Sequence, residues 1–147
     1  MRRVGYVVSQ GLWVLLVALV LATAYGGYRA RRDGRFAGLA GLRAGLLANS
    51  GFEHGLGERA TLLQFSSAFC APCRATRRVL ADVAEMVPGV VHVEVDAERH
   101  LALVRRAKVT RTPTTLILDS QGREALRAAG APRKEDVLSA LTKVVGH

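Results

Sequence analysis

The chain is poor in cysteine and in aromatic side chains, and each shortage removes a class of function. It has two cysteines, Cys70 and Cys73, and its histidines (His54, His92, His100, His147) are scattered without ligand-like spacing. A structural zinc site wants four protein donors and a catalytic one three, so no metal site is expected. Aromatic residues make up 5% of the sequence, too few for the stacking platform of a single-strand binder. The formal net charge of +9 is therefore not taken as a sign of nucleic-acid binding.

That charge is unevenly spread. Residues 1–56 carry seven Arg and two acidic residues, whereas residues 57–147 carry fourteen Lys or Arg against ten Asp or Glu. Within the first of these parts, Val4 to Ala24 contains no charged side chain. Twenty-one helical residues reach about 31 Å, enough for a hydrocarbon core of about 30 Å. Trp13 lies inside the run, and Tyr6, Tyr25 and Tyr28 lie near its ends, where amphipathic rings prefer to sit. Residues 1–28 are expected to be a transmembrane anchor in contact with lipid. The alternative is a cleaved signal peptide, with Arg2 and Arg3 as its basic start and Ala22-Thr23-Ala24 as the cleavage site. Arg29, Arg31, Arg32 and Arg35 outnumber the charges before the run by one or two, which favours a cytoplasmic carboxyl-terminal part over an extracytoplasmic one.

Residues 29–57 read as a basic, glycine-rich linker. Gly34, Gly38, Gly41, Gly45, Gly51, Gly55 and Gly57 interrupt it, although Phe36, Leu39, Leu42, Leu46 and Leu47 are spaced for a short amphipathic helix. Residues 58–147 form the expected globular domain. Ala60 to Phe65 reads as an interior strand. A helix follows from Arg74 to Val87, with Val79, Leu80, Val83 and Val87 on one face and Pro88-Gly89 ending it. Val90 to Val95 is a second strand, and Ala97 to Ala107 a helix with Leu101 and Val104 inward. Thr114 to Leu118 and Arg123 to Arg127 form a hairpin, and a last helix carries Val137, Leu138, Leu141 and Val144 inward. The order β-α-β-α-β-β-α predicts an α/β layered sandwich: two parallel strands joined by a crossover helix, then a hairpin, with helices on both faces.

The cysteines sit where the first of these strands meets the first helix. Unpaired N–H groups and partial positive charge at a helix start favour a thiolate over a thiol. Side chains three positions apart are also close enough to close a small disulfide ring. Pro72 suits an early helical position because it has no N–H to donate. Two ordinary buried thiols and a purely structural disulfide remain as alternatives.

Phe65-x-x-x-Phe69-Cys70-Ala71-Pro72-Cys73-Arg74, followed forty residues later by Thr112-Pro113-Thr114, resembles the thioredoxin family, in particular its small membrane-anchored bacterial members. The likeness covers about residues 58–143. It implies a thioredoxin-like layered sandwich with a mixed central sheet, preceded here by one transmembrane helix, in a single-pass protein of the bacterial inner or plasma membrane. It further implies a thiol–disulfide oxidoreductase with Cys70 and Cys73 as catalytic residues and no cofactor beyond their redox-active disulfide. The groove for substrate would involve Phe69, Pro72, Thr112, a cis Pro113 and Gly130. Partners would be a protein or small-molecule disulfide client and an upstream thiol electron donor.

The departures are specific. Phe69 stands where the family usually has tryptophan, and Ser66 where some members have another. Gln64 replaces a buried aspartate, and His92 takes the place of its lysine companion, so this pair is the candidate for tuning or proton transfer at the inner thiol. These changes argue against the fast, general disulfide reduction of soluble thioredoxin. Ala71-Pro72 lacks the histidine of strongly oxidising relatives, which favours reduction of client protein disulfides. Two alternatives stand beside that: an extracytoplasmic reductant for cytochrome c maturation or other envelope thiols, and a non-catalytic membrane-tethered binding module.

Overall fold

The computed structural model describes residues 3–38, 46–47 and 49–146. By its internal contacts the chain divides into two units, Met1–Arg32 and Asp33–His147.

The first unit is one helix, α1 (Arg3–Arg32), of 30 residues. Its window Leu12–Arg29 has a mean hydropathy of 1.5, and the large apolar side chains in it, Trp13, Val14 and Leu15 among them, are exposed. The helix is long and apolar enough to cross a membrane, and its place near the N-terminus suits a signal sequence equally.

In the second unit a five-stranded mixed sheet has the order β1-β5-β4-β2-β3, from β1 (Ala37–Gly38), β2 (Ala60–Ser66), β3 (Val90–Asp96), β4 (Thr114–Asp119) and β5 (Glu124–Ala129). β2 runs parallel to β3 and antiparallel to β4; β5 is antiparallel to both β4 and β1. Every residue of β2 is buried, as a central strand covered on both faces requires. Its side chains alternate between two apolar layers. Leu63 and Phe65 join Val95, Leu116 and Leu118 beneath α3 (Leu101–Arg106), whose Leu103 is buried against them. Ala60 and Leu62 join Ile117 beneath α2 (Ala71–Met86) and α4 (Lys134–Val145). α2 buries Cys73, Thr76, Leu80 and Val83, the three-and-four spacing of a single helical face. α4 buries Val137, Ala140 and Leu141, with Glu135 and Asp136 favourably placed at its positive end.

The structure departs from the expected boundaries and burial at several elements; α2 begins three residues earlier than expected and β5 ends two residues later. Residues 29–57 were expected to be linker, but the compact unit begins at Asp33. β1 pairs with β5 through Ala37↔Arg127 and Gly38↔Leu126, and Leu46 and Leu47, 1% and 4% exposed, are part of the core on the α3 face. Leu39 and Leu42, which belong to the expected amphipathic helix, lie outside the described residues. Gly34 explains how the chain joins the sheet so closely. It has φ +82°, and a Cβ there would lie 2.3 Å from the Ala131 carbonyl oxygen, so a larger residue would break the approach. The helix expected over Ala97 to Ala107 is shorter, and it begins at Leu101, which is exposed rather than inward; Leu103 takes the buried position. Leu138 and Val144 of the last helix are only partly buried, and Ala140 faces the core in their place.

Candidate active site

Cys70 ends the loop after β2 and is the N-cap of α2, with extended φ/ψ of −97° and 95°. Its Sγ accepts the Cys73 backbone N–H at 3.2 Å, and its carbonyl oxygen accepts the same N–H at 3.1 Å. One of the first-turn donors that a helix leaves unpaired, the Cys73 N–H, is therefore shared between the Cys70 sulfur and carbonyl. Pro72 lies in that first turn. Cys70 and Cys73 are joined in a disulfide, with Cα atoms 5.2 Å apart. Cys73 is 2% exposed, so an incoming thiol or disulfide meets Cys70 first. Phe69, immediately before it, is completely exposed.

On one side of the pair lies the turn that opens β4. The Thr112–Pro113 peptide bond is cis. Around it, the Thr112 and Ser67 hydroxyls are 3.1 Å apart, the Thr114 hydroxyl donates to the Arg111 carbonyl at 2.7 Å, and Gly130 N–H donates to the Pro113 carbonyl at 2.8 Å. Thr112 itself makes no backbone hydrogen bond among the described residues, so its peptide groups are open to an extended segment laid alongside. Gly130 has φ +98°, and a Cβ there would meet that of Asp33 at 3.0 Å. The Arg111 guanidinium reaches both Asp33 Oδ1 (2.8 Å) and the Ala129 carbonyl (3.0 Å), tying the start of the domain to this turn.

On the inner side, Gln64 is fully buried and donates from Nε2 to the Cys73 carbonyl at 2.9 Å. That carbonyl can only accept, which fixes the amide orientation and leaves Oε1 facing His92 Nε2 at 3.1 Å. His92 Nε2 must then carry the hydrogen. Burial pulls the His92 pKa below 6.5; the Glu94 carboxylate opposes that shift and the Arg77 charge adds to it, so the neutral ring is the form present at neutral pH. Arg77 and Glu94 form a two-armed ion pair with both contacts at 2.6 Å. Burial pushes the Glu94 carboxyl up, but hydrogen bonds from Arg77 and Ser66 and the nearby positive charge hold it below its ordinary value.

The site residues expected from sequence thus fall into three groups around one disulfide. Phe69 precedes Cys70 and Pro72 lies between the two cysteines. Thr112, Pro113 and Gly130 are joined by the turn at β4, and Gln64 and His92 are bonded in series to Cys73. Sequence reasoning missed the Ser67–Thr112 hydroxyl contact, the Arg77–Glu94 pair and the reach of Arg111 to Asp33. The last two join residues 17 and 78 positions apart, and only the topology brings them together. No group of three or more His, Cys, Asp or Glu suited to a metal occurs among the described residues.

A family model described as a thioredoxin-like domain matches residues 54–145. Among curated relatives, a thioredoxin H-type of Oryza sativa subsp. indica is 32% identical over 88 residues, spanning 60% of this chain and 70% of that protein. A thioredoxin of Chlamydia trachomatis is 26% identical over 98 residues, spanning 67% of this chain and 95% of that one. Two solved structures share the fold. A mutant thioredoxin from Halobacterium salinarum has a TM-score of 0.56 at 18% identity, covering 60% of this chain and 76% of that one. The reduced Schistosoma mansoni thioredoxin pre-protein has a TM-score of 0.55 at 18% identity, covering 65% and 88%.

Proposed function

This chain belongs to the thioredoxin-like family of thiol–disulfide oxidoreductases, and from that premise we propose that it reduces disulfides of client proteins, with Cys70 attacking and Cys73 resolving. The observation that carries this assignment of roles is the asymmetry of the pair: Cys70 caps α2 with an N–H aimed at its sulfur, while Cys73 is 2% exposed.

In the reduced protein the Cys70 thiolate attacks one sulfur of a client disulfide. The client's other sulfur leaves as a thiolate, and a mixed disulfide remains at Cys70. Cys73 then attacks Cys70 Sγ, expels the reduced client and regenerates the Cys70–Cys73 disulfide. The open peptide groups of Thr112 hold the client segment as an added strand would, with Pro113 and Gly130 shaping the groove and Phe69 offering an exposed apolar ring. An upstream thiol donor returns the electrons, and no cofactor besides the disulfide takes part. Gln64 and His92 act on the inner sulfur through the Cys73 carbonyl, as tuning groups rather than attacking ones.

The test is turnover of insulin disulfides with dithiothreitol as regenerant. C70S and C73S should both lose it, and when the reduced variants are mixed with insulin after removal of dithiothreitol only C73S should accumulate a mixed disulfide. Turnover persisting in C70S would remove Cys70 as the attacking group, and a wild-type protein without turnover would leave the domain a binding module.

The apolar α1 supports a second element of the reading, a single-pass membrane anchor, and the excess of Arg after the apolar run supports a cytoplasmic domain. A membrane-impermeant maleimide applied to gently reduced cells checks it. Labelling only after permeabilisation, on a full-length chain, is expected. Labelling in intact cells would turn the reading to an envelope reductant, and a mass loss corresponding to cleavage after Ala24 would turn it to a secreted one.

A further inference from the structure

Beside the disulfide, on the side formed by α2 and β3, the surface opens into a cleft of about 420 Å³. Its existence follows from three consecutive small residues, Ser66-Ser67-Ala68, where β2 ends. Both cysteines line it, whereas Phe69, Thr112 and Pro113 do not, so it is a separate approach from the client groove. A space of this size suits a molecule of a few residues' mass rather than a folded protein surface.

The charges in the cleft decide what it takes. Arg77 is committed to Glu94 through both arms. The Asp96 carboxylate accepts the Glu98 N–H at 2.9 Å and lies 3.9 Å from Arg99. Arg74 is exposed and has no ion pair or hydrogen bond among the described residues. It follows Cys70 by one helical turn, and both residues line the cleft. Arg74 is thus the cation of the cleft without a carboxylate partner among the described residues, and the half-exposed Asp96 carboxylate lies on the β3 side.

We propose that this cleft binds a small anionic thiol, its carboxylate at Arg74, and that this thiol is the electron donor to the disulfide. The inference rests on the redox role given above and names the donor's chemical class. The bound thiolate attacks Cys70 Sγ; the Cys70–Cys73 bond breaks, and Cys73 leaves as a thiolate and takes up a proton. A second molecule of the thiol attacks the first one's sulfur, freeing Cys70 and leaving as a symmetric small-molecule disulfide. Two thiols are oxidised, and one protein disulfide gains two electrons and two protons.

The experiment measures second-order rates for reduction of the full-length oxidised protein by 3-mercaptopropionate and by neutral 2-mercaptoethanol, quenched by alkylation and read by mass spectrometry. Each rate is normalised to that thiol's rate on 2-hydroxyethyl disulfide. The normalised ratio should favour the anion by about threefold or more at low salt and shrink as salt is added. It should fall to about one in R74A and further in A68E, which places a like charge in the cleft at an exposed position. A ratio unchanged in both variants, or a loss in R74A that is equal for both thiols, overturns the proposal while leaving the redox reading intact. If dithiothreitol also fails to reduce the pair, the redox reading itself falls with it.

Discussion

Replacing Gln64 with leucine tests whether the buried amide matters as more than packing. The side chain has no exposure and makes two hydrogen bonds, to the Cys73 carbonyl and from the His92 ring. Each bond contributes about 0.5–1.5 kcal/mol net, and the groups left behind add cost where water does not reach them. The Cys73 carbonyl lies in the first turn of α2, where the helix itself supplies it with a second N–H donor, and His92 is only half-buried, so the penalty stays near the sum of the two bonds, about 1–3 kcal/mol. Urea unfolding of the detergent-solubilised protein, followed by circular dichroism, measures it as a shift in midpoint at constant slope. A double-mutant cycle with His92→Phe should return a coupling of about 0.5–1.5 kcal/mol, since the two residues share one bond. Repeating the series on reduced protein separates structure from redox tuning. If the oxidised form loses about 1.4 kcal/mol more than the reduced one, the reduction potential rises by about 30 mV. A loss below about 0.5 kcal/mol with no coupling to His92 would refute the view that this series of bonds holds Cys73.

Other consequences are independent of that network. Leu47→Ala should cost about 2–5 kcal/mol in the same unfolding assay, while Leu101→Ala should change stability by less than about 0.5 kcal/mol, because the first is core and the second is exposed. Thr115→Val should leave stability unchanged or raise it by about 1 kcal/mol, since the Thr115 hydroxyl is buried with no partner among the described residues; a fall of that size would show that the hydroxyl is bonded. For His92, whose pKa burial lowers from 6.5 against the pull of Glu94 and with the help of Arg77, the unfolded chain takes up the proton first on acidification. Stability is therefore full above about pH 6.5 and declines as pH falls through that value, until the folded ring also titrates. His92→Gln should flatten this part of the profile, and an identical profile would remove His92 from the linkage.

The sheet was legible because β2 and β4 hold apolar runs of ordinary length, β3 alternates valine with His92 and Glu94, and the cysteine pair marks the strand-to-helix junction. β1 was not legible: two residues, Ala37 and Gly38, carry no periodicity, and their strand character comes only from pairing with β5. Leu46 and Leu47 were visible as apolar positions among glycines, but whether they pack on the domain is decided by tertiary packing and not by local spacing. In α3, six residues give less than two turns, too few for the apolar spacing to tell Leu101 from Leu103. At the site, Gln64 was recognisable as a polar residue in a buried run. Its bonding to both Cys73 and His92 depends on the register Gln64↔Glu94, which no local pattern reveals.

The segment from Asp33 to Gly38 also decides how the domain behaves when cut loose. A fragment begun at residue 54 or 58 would lack β1, Leu46 and Leu47 together. The whole outer edge of β5 would then lie bare, beside a void on the α3 face. An uncovered edge is a template for strand exchange between copies. A fragment begun at Asp33 keeps that edge blunted, and of the two it is the one suited to staying monomeric in concentrated solution.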